Sequence, residues 1–443
     1  MLSPWEIGSL STVCFLLREA LTPLVFRKFT LTHIHGDLTS IRQAIAVVAS
    51  PAWLLNIVEL ELRSKVSHSV IRDIGMTSAV STTLNAVPKM PRLQAIILTN
   101  IRLSTSQLVF VLRAPELRKL VLVKVALPDL ARTLLPPTNV RHLDLHTTGK
   151  MDIAILLWTH LSSSLEVLEL HRFEHSDNLP LLPPCPRLHT FIYVTSPGLP
   201  ERRFHEFIKS CPNLTHITAS VTFPHPLQID MFPSTVHYLC LHRELLNFIS
   251  HNVQLKNLVS FRITGLEDLH TTPAVFSIAQ YIESHFPKLL NLELEISWAQ
   301  RNYALAVARL VLSVSSLHLV ITTKLGFKLD DASPYMRIGD ADILWGGTMR
   351  QKQFAKLQRL SLEVTQHTRP LEDTANAFLD WWMSVVTTYQ VGLGGPDLSE
   401  TDITYFCPGT SPQEGDIRLW YHSKRSEFGH WSFSSGSWYK LES

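Results

Sequence analysis

Along most of the chain, large apolar residues recur in one local pattern: an apolar residue, a second three positions on, and a third two positions beyond that. Leu165-Glu166-Val167-Leu168-Glu169-Leu170 is a clear copy. The same register returns at Ile57-Leu60-Leu62, Leu93-Ile96-Leu98, Leu117-Leu120-Leu122, Val140-Leu143-Leu145, Leu188-Phe191-Tyr193 and Leu214-Ile217-Ala219. It continues at Val236-Leu239-Leu241, Leu258-Phe261-Ile263, Leu289-Leu292-Leu294, Val314-Leu317-Leu319 and Leu357-Leu360-Leu362. Residues two apart fall on one side of an extended strand. Each copy therefore predicts a short strand with one apolar face, preceded by a residue that closes the turn into it. Such a strand cannot bury that face alone, so the copies are expected to stack in parallel and share one core.

From residue 93 to residue 258 the copies start 22 to 26 residues apart, inside the roughly 20–29-residue period of a leucine-rich repeat. The segments between them, 104–113, 151–161, 202–210, 273–285, 300–312 and 374–389, carry apolar residues at helical spacing, for example Phe204, Phe207 and Ile208. Strand and helix alternate. The fold class expected is α/β, a leucine-rich-repeat solenoid (horseshoe) with a parallel concave sheet and convex helices. A helix over 40–49 is expected to end at Ser50-Pro51, and the polar stretch 64–83 to form a longer convex segment. The asparagine that commonly follows the strand in such repeats is mostly absent, which predicts uneven curvature.

Three regions are expected: a helical segment or cap over 1–31, the solenoid over 32–370, and a helix with an aromatic capping segment over 371–443. The repeat array is interrupted by an insertion, 324–351, with Asp330-Asp331, Asp340, Asp342 and Gly346-Gly347. Long loops in compact arrays tend to carry binding, whereas no EF-hand spacing accompanies these acids. Beyond Gly394-Gly395-Pro396 the chain turns aromatic, with Trp420, Tyr421, Trp431, Phe433, Trp438 and Tyr439, read as two short strands closing the last repeat.

Forty basic residues against thirty-eight acidic give a formal net charge of +2, which makes no electrostatic case for nucleic acid or an anionic membrane. No apolar run reaches the length of about 18 residues that a membrane span needs. The five cysteines, Cys14, Cys185, Cys211, Cys240 and Cys407, are scattered and never form C-x-x-C, which points to reduced thiols and a cytoplasmic or nuclear protein. The triplet Asn213-Leu214-Thr215 lies within a repeat and is read as a repeat residue, not a glycan site. P-loop, G-x-S-x-G, H-E-x-x-H and C-x-x-C patterns are all missing, so no catalytic residues are assigned and an enzyme is not expected.

Residues alternating with the buried pair should form the exposed face of the sheet. Along that row His142, Asp144, His146, Glu169, His171, His216, Tyr238, His242, Arg262 and Glu293 are the candidates for contacting a protein target. His142 and His146, four apart on one strand, would stand about 13 Å apart, too far for one zinc. His146 and His171 fall at equivalent positions of adjacent strands, about 4.8 Å apart, beside Asp144 and Glu169. That quartet invites a metal-binding or pH-sensing reading. The simpler reading is solvated histidine–carboxylate pairs, so neither metal nor cofactor is assigned.

The segment Leu10-Ser11-Thr12-Val13-Cys14-Phe15-Leu16-Leu17-Arg18, followed by Pro23-Leu24-Val25-Phe26-Arg27, resembles the second half of an F-box. In that family the motif commonly precedes leucine-rich repeats, especially in fungal proteins. The resemblance implies that Val13, Cys14, Leu17, Leu24 and Phe26 contact the adaptor subunit of a cullin-RING (SCF-type) ubiquitin ligase, with the repeats receiving the substrate. The opening half of the motif has no counterpart before Leu10, which leaves either an upstream start or a reduced adaptor surface. Without the resemblance, the segment reads as an amphipathic helix capping the end of the solenoid. The function expected is a substrate-receptor-like subunit; the alternatives are an interaction protein without ligase attachment and a small-ligand or metal sensor.

Overall fold

A computed structural model describes residues 27–33, 38–64, 74–128, 130, 134–146, 151–171, 183–194, 201–220, 232–242, 255–266, 272–296, 307, 311, 313–323, 358–366, 400–407, 417–424, 430–434 and 437–441. The chain forms two compact units, Met1–Pro224 and His225–Ser443. In the first unit, eight strands lie in sequence order: β1 (Lys28–His33), β2 (Glu59–Ser64), β3 (Ala95–Thr99), β4 (Lys119–Val123), β5 (His142–His146), β6 (Val167–His171), β7 (Thr190–Val194) and β8 (His216–Ser220). Every neighbouring pair is parallel. The second unit continues with β9 (Tyr238–His242), β10 (Ser260–Thr264), β11 (Asn291–Ile296), β12 (Ser316–Thr323), β13 (Arg359–Gln366) and β14 (Glu400–Cys407), again parallel in sequence order. Each of the twelve motif copies lies on a strand from β2 to β13, and each unit is an α/β leucine-rich-repeat stack.

The register explains the pattern. Leu168 pairs with Leu143 on one side and Phe191 on the other, and Leu170 with Leu145 and Tyr193; all six are buried. A one-residue slip would turn these side chains to the other face, so the alternation itself fixes the stacking. Behind the sheet pack α1 (Leu38–Ala49), α2 (Pro51–Asn56), α3 (Ile74–Ala86), α4 (Thr105–Leu112), α5 (Met151–Leu161), α6 (Glu201–Lys209) and, in the second unit, α7 (Thr272–His285). Helix α4 starts at a capping box: the Ser104 hydroxyl accepts from the Gln107 backbone N–H, and Gln107 Oε1 accepts from the Ser104 N–H. Its Leu108, Val111 and Leu112 are buried. On α6, Phe207 meets Trp158 of α5 and Phe191 of β7 edge-on, both at 5.0 Å. The Trp158 indole N–H donates to Cys185 Sγ at 3.0 Å, which gives the buried ring the polar partner it requires.

Asparagines do form a ladder, but one that precedes the strand, beside the single asparagine that follows β3. Asn139, Asn213 and Asn257 each immediately precede a motif copy, and their amides donate to the backbone carbonyls of Pro115, Pro186 and Ser234. Those carbonyls occupy the equivalent turn one repeat earlier. Asn213, the centre of the glycosylation-type triplet, is thus tied into the repeat. After β3 the turn is made by Asn100 at φ 55°, with Lys124 at φ 52° after β4.

Several expectations are corrected. Strand β1 was not foreseen: it crosses the boundary drawn at residue 31 and pairs Phe29 with Leu60 and Leu31 with Leu62. The stretch 64–83, expected as a longer convex segment, agrees in its second part: it contains most of α3, behind the sheet, while 65–73 lie outside the described residues. Among its described residues the aromatic tail holds four strands, not two: β14, β15 (Ile417–Lys424) antiparallel to it, and a separate antiparallel pair, β16 (His430–Ser434) and β17 (Ser437–Leu441). The helix over 40–49 begins at Leu38, and α2 follows directly from Pro51. Val13, Cys14, Leu17, Leu24 and Phe26, the insertion 324–351 and the helix expected over 374–389 lie outside the described residues.

Candidate functional site

The sheet face opposite the helices carries the candidates, and alternation sets their placement. On β3, β6, β7 and β10, buried positions alternate with half-buried ones. On β2, β4, β5 and β9 the central outward residue, Glu61, Val121, Asp144 or Cys240, is itself buried, because strands about 4.8 Å apart bring flanking side chains over it.

In the first unit, five candidates converge. Asp144 pairs across the sheet with Glu169, and His146 with His171. The two imidazoles stack with centroids 3.9 Å apart and planes 10° from parallel. His146 Nε2 lies 2.9 Å from Asp144 Oδ1, and His171 Nε2 lies 3.8 Å from the same oxygen and 3.5 Å from Glu169 Oε2. His142 donates from Nε2 to Glu169 Oε1 at 2.8 Å. The simple picture of solvated pairs is therefore replaced by one partly buried cluster spanning two strands.

Burial and neighbours set its electrostatics. The hydrogen bonds from His142 and then His171 hold the Glu169 carboxyl far below the usual glutamate range, against the effect of burial. Burial raises the Asp144 carboxyl, with Glu169 adding to the rise and the histidines opposing it. Burial also lowers the His146 imidazole, a shift that Asp144 opposes and His171 reinforces. Val121 and Val123 of β4 flank the cluster on one side, and Ile192 and Val194 of β7 on the other. Asp144, His146, Glu169 and His171 are thus fenced by aliphatic side chains, while Lys119 of β4 stands beside His142. His216, on β8, is exposed, with Nδ1 hydrogen-bonded to the Thr215 hydroxyl at 2.9 Å; the fence strand β7 separates it from the cluster.

In the second unit, Arg262 on β10 grips β11 with both arms: Nη1 lies 2.7 Å from Glu293 Oε1 and Nη2 3.0 Å from Glu295 Oε2. Burial disfavours the guanidinium charge, but Glu293 and Glu295 outweigh it and hold the Arg262 pKa above its ordinary value. His318 of β12 lies 4.0 Å from Glu293 and 3.7 Å from Glu363 of β13. Tyr238 is half-buried on β9, and its phenol is pushed up to about 12, chiefly by burial, with Cys240 and Glu293 contributing. His242 closes β9 against Gly265.

One polar group was missed because its strand was missed. Lys28 on β1 bridges Glu59 at 2.6 Å and Glu61 at 3.4 Å, the Thr30 hydroxyl donates to Glu61 Oε2 at 3.3 Å, and Arg63 pairs with Glu61 from the other side. The signal was present as Phe26-x-x-Phe29-x-Leu31, in register with Ile57-x-x-Leu60-x-Leu62.

No family model matches the chain, and no curated protein matches it in sequence. Among solved structures it is similar to the one described as the crystal structure of a TLR13–ssRNA13 complex, at 14% identity and a TM-score of 0.37. That alignment covers 78% of this chain, which spans 40% of the other chain's length. The repeat assignment rests on the strand register and not on this likeness. Among the described residues, no helix is long and apolar enough to cross a membrane.

Proposed function

We propose that the protein is a non-enzymatic recognition module: its outward sheet face docks a protein target, and its N-terminal segment joins it to the adaptor of an SCF-type ubiquitin ligase. The observation that carries the first part is the pairing of a charged cluster on β5 and β6 with aliphatic borders on β4 and β7. Protein interfaces combine apolar contact with placed polar groups in this way, and a hydrogen-bonded sheet holds such a row at low entropic cost. The second part is supported by the F-box-like residues Val13, Cys14, Leu17, Leu24 and Phe26, just ahead of β1. Cys185, Cys211 and Cys240 are buried thiols in no disulfide, in keeping with a cytoplasmic or nuclear setting. With a net charge of +2, neither nucleic acid nor a membrane is a proposed partner.

Co-elution of the purified chain with the ligase adaptor subunit tests the attachment. Stoichiometric co-elution that Leu17→Asp abolishes is expected. Separate elution, both for this chain and for one extended upstream, rejects attachment and leaves an interaction protein without a ligase.

A further inference from the structure

Asp144, His146 and His171 offer a carboxylate oxygen and two imidazole nitrogens, all within 4.8 Å of one another. The spacings from Asp144 Oδ1, 2.9 Å to His146 Nε2 and 3.8 Å to His171 Nε2, bracket the separation of about 3.3–3.5 Å between donors in a tetrahedral zinc site with bonds of about 2.0–2.2 Å. A second observation is independent of these distances. Asp144 is 9% exposed, and its Oδ1 is sealed from solvent without accepting a hydrogen bond; the approach of His146 is close but not angled as one. A buried carboxylate oxygen with no donor is costly. Protonating both histidines does not offer cheap relief, since it sets two positive rings face to face at 3.9 Å.

We propose that Asp144, His146 and His171 bind one zinc(II) ion, leaving the fourth position open to water on the outward face of the sheet. Two nitrogens and one oxygen suit a borderline first-row dication; calcium and magnesium demand oxygen ligands. Ligation requires the two rings to tilt out of their parallel stack so that their lone pairs converge. Glu169, anchored by His142 at 2.8 Å, stands 3.5 Å from His171 Nε2, the nitrogen offered to the ion, and adds a negative charge beside the site. Its aliphatic flanks, Val121, Val123, Ile192 and Val194, bring no competing charge. The site does not depend on the recognition reading, and either can fail alone.

The test is calorimetric titration of zinc chloride into the full chain after chelator treatment, with cobalt(II) visible absorption as a second readout. One equivalent is expected to bind with the intense d–d bands of a four-coordinate ion. That equivalent should disappear in Asp144→Asn and in the His146→Ala/His171→Ala double variant, and persist in His216→Ala. Circular dichroism of the metal-free variants identifies any that fail to fold; Asp144→Asn, nearly isosteric, is retained as the decisive comparison. Zinc binding that is equal in the parent chain, Asp144→Asn and the double variant, or no binding to the parent chain, overturns the proposal.

Discussion

Gly265 and His242 fit together so closely that a Cβ on the glycine would sit 2.0 Å from His242 Nε2. The contact joins the turn after β10 to the end of β9, and Gly265 holds a left-handed φ of +69° there. Gly265→Ala should therefore displace the His242 ring and destabilise the second unit. The left-handed conformation alone costs a non-glycine residue about 1–2 kcal/mol, and the displaced ring adds to it. Urea unfolding measures the loss; an unchanged midpoint would mean that the turn relaxes freely.

The alternation along β6 and β7 separates structural from exposed positions. Leu168→Ala removes a wholly buried side chain and should cost about 2–5 kcal/mol. Val194→Ser, on the neighbouring strand and the outward face, should cost under about 1 kcal/mol. Comparable losses from the two would contradict the assigned register.

Asn213 closes a rung of the turn ladder through its 2.7 Å bond to the Pro186 carbonyl. Its replacement by alanine should cost about 0.5–1.5 kcal/mol, read as a lower thermal midpoint with the circular dichroism spectrum unchanged. The same substitution at Asn139 or Asn257, which make the matching bonds, should behave alike.

Acid should loosen the first unit through Glu61. Burial works to raise this carboxyl, but Arg63 and Lys28 outweigh it and hold the value below the ordinary 4.5. A depressed carboxylate contributes stability above its unfolded pKa and loses it as pH falls through the folded value. Stability should thus decline below about pH 4.5, and Glu61→Gln should flatten that part of the profile. An identical acid profile in the variant would remove Glu61 from the account.

Twelve strands could be read from the sequence because a large aliphatic pair at period two, repeated in step, has few other structural meanings. β1 escaped because Phe29 and Leu31 stand after an F-box-like segment that claimed Phe26, and β14 because Thr401 occupies the place where Leu360 pairs. The adjacency of His146 and His171 followed from equivalent repeat positions. Their stacking, the shared Asp144 oxygen and the bond from His142 to Glu169 did not, since they depend on rotamers and burial that spacing leaves open. The asparagine ladder is hidden for another reason: the common repeat pattern places the residue after the strand, whereas Asn139, Asn213 and Asn257 precede it.

The central claim is that the sheet face opposite the helices is where a protein partner docks. Site-specific photo-crosslinking in cells tests it most directly, with a benzophenone side chain placed at Val123 or Val194 on that face, and at Leu156 or Lys209 on the helices. The account predicts one shared, identifiable set of adducts from Val123 and Val194 that is absent from Leu156 and Lys209. The same adducts from the helical positions, or none from the sheet, would contradict it.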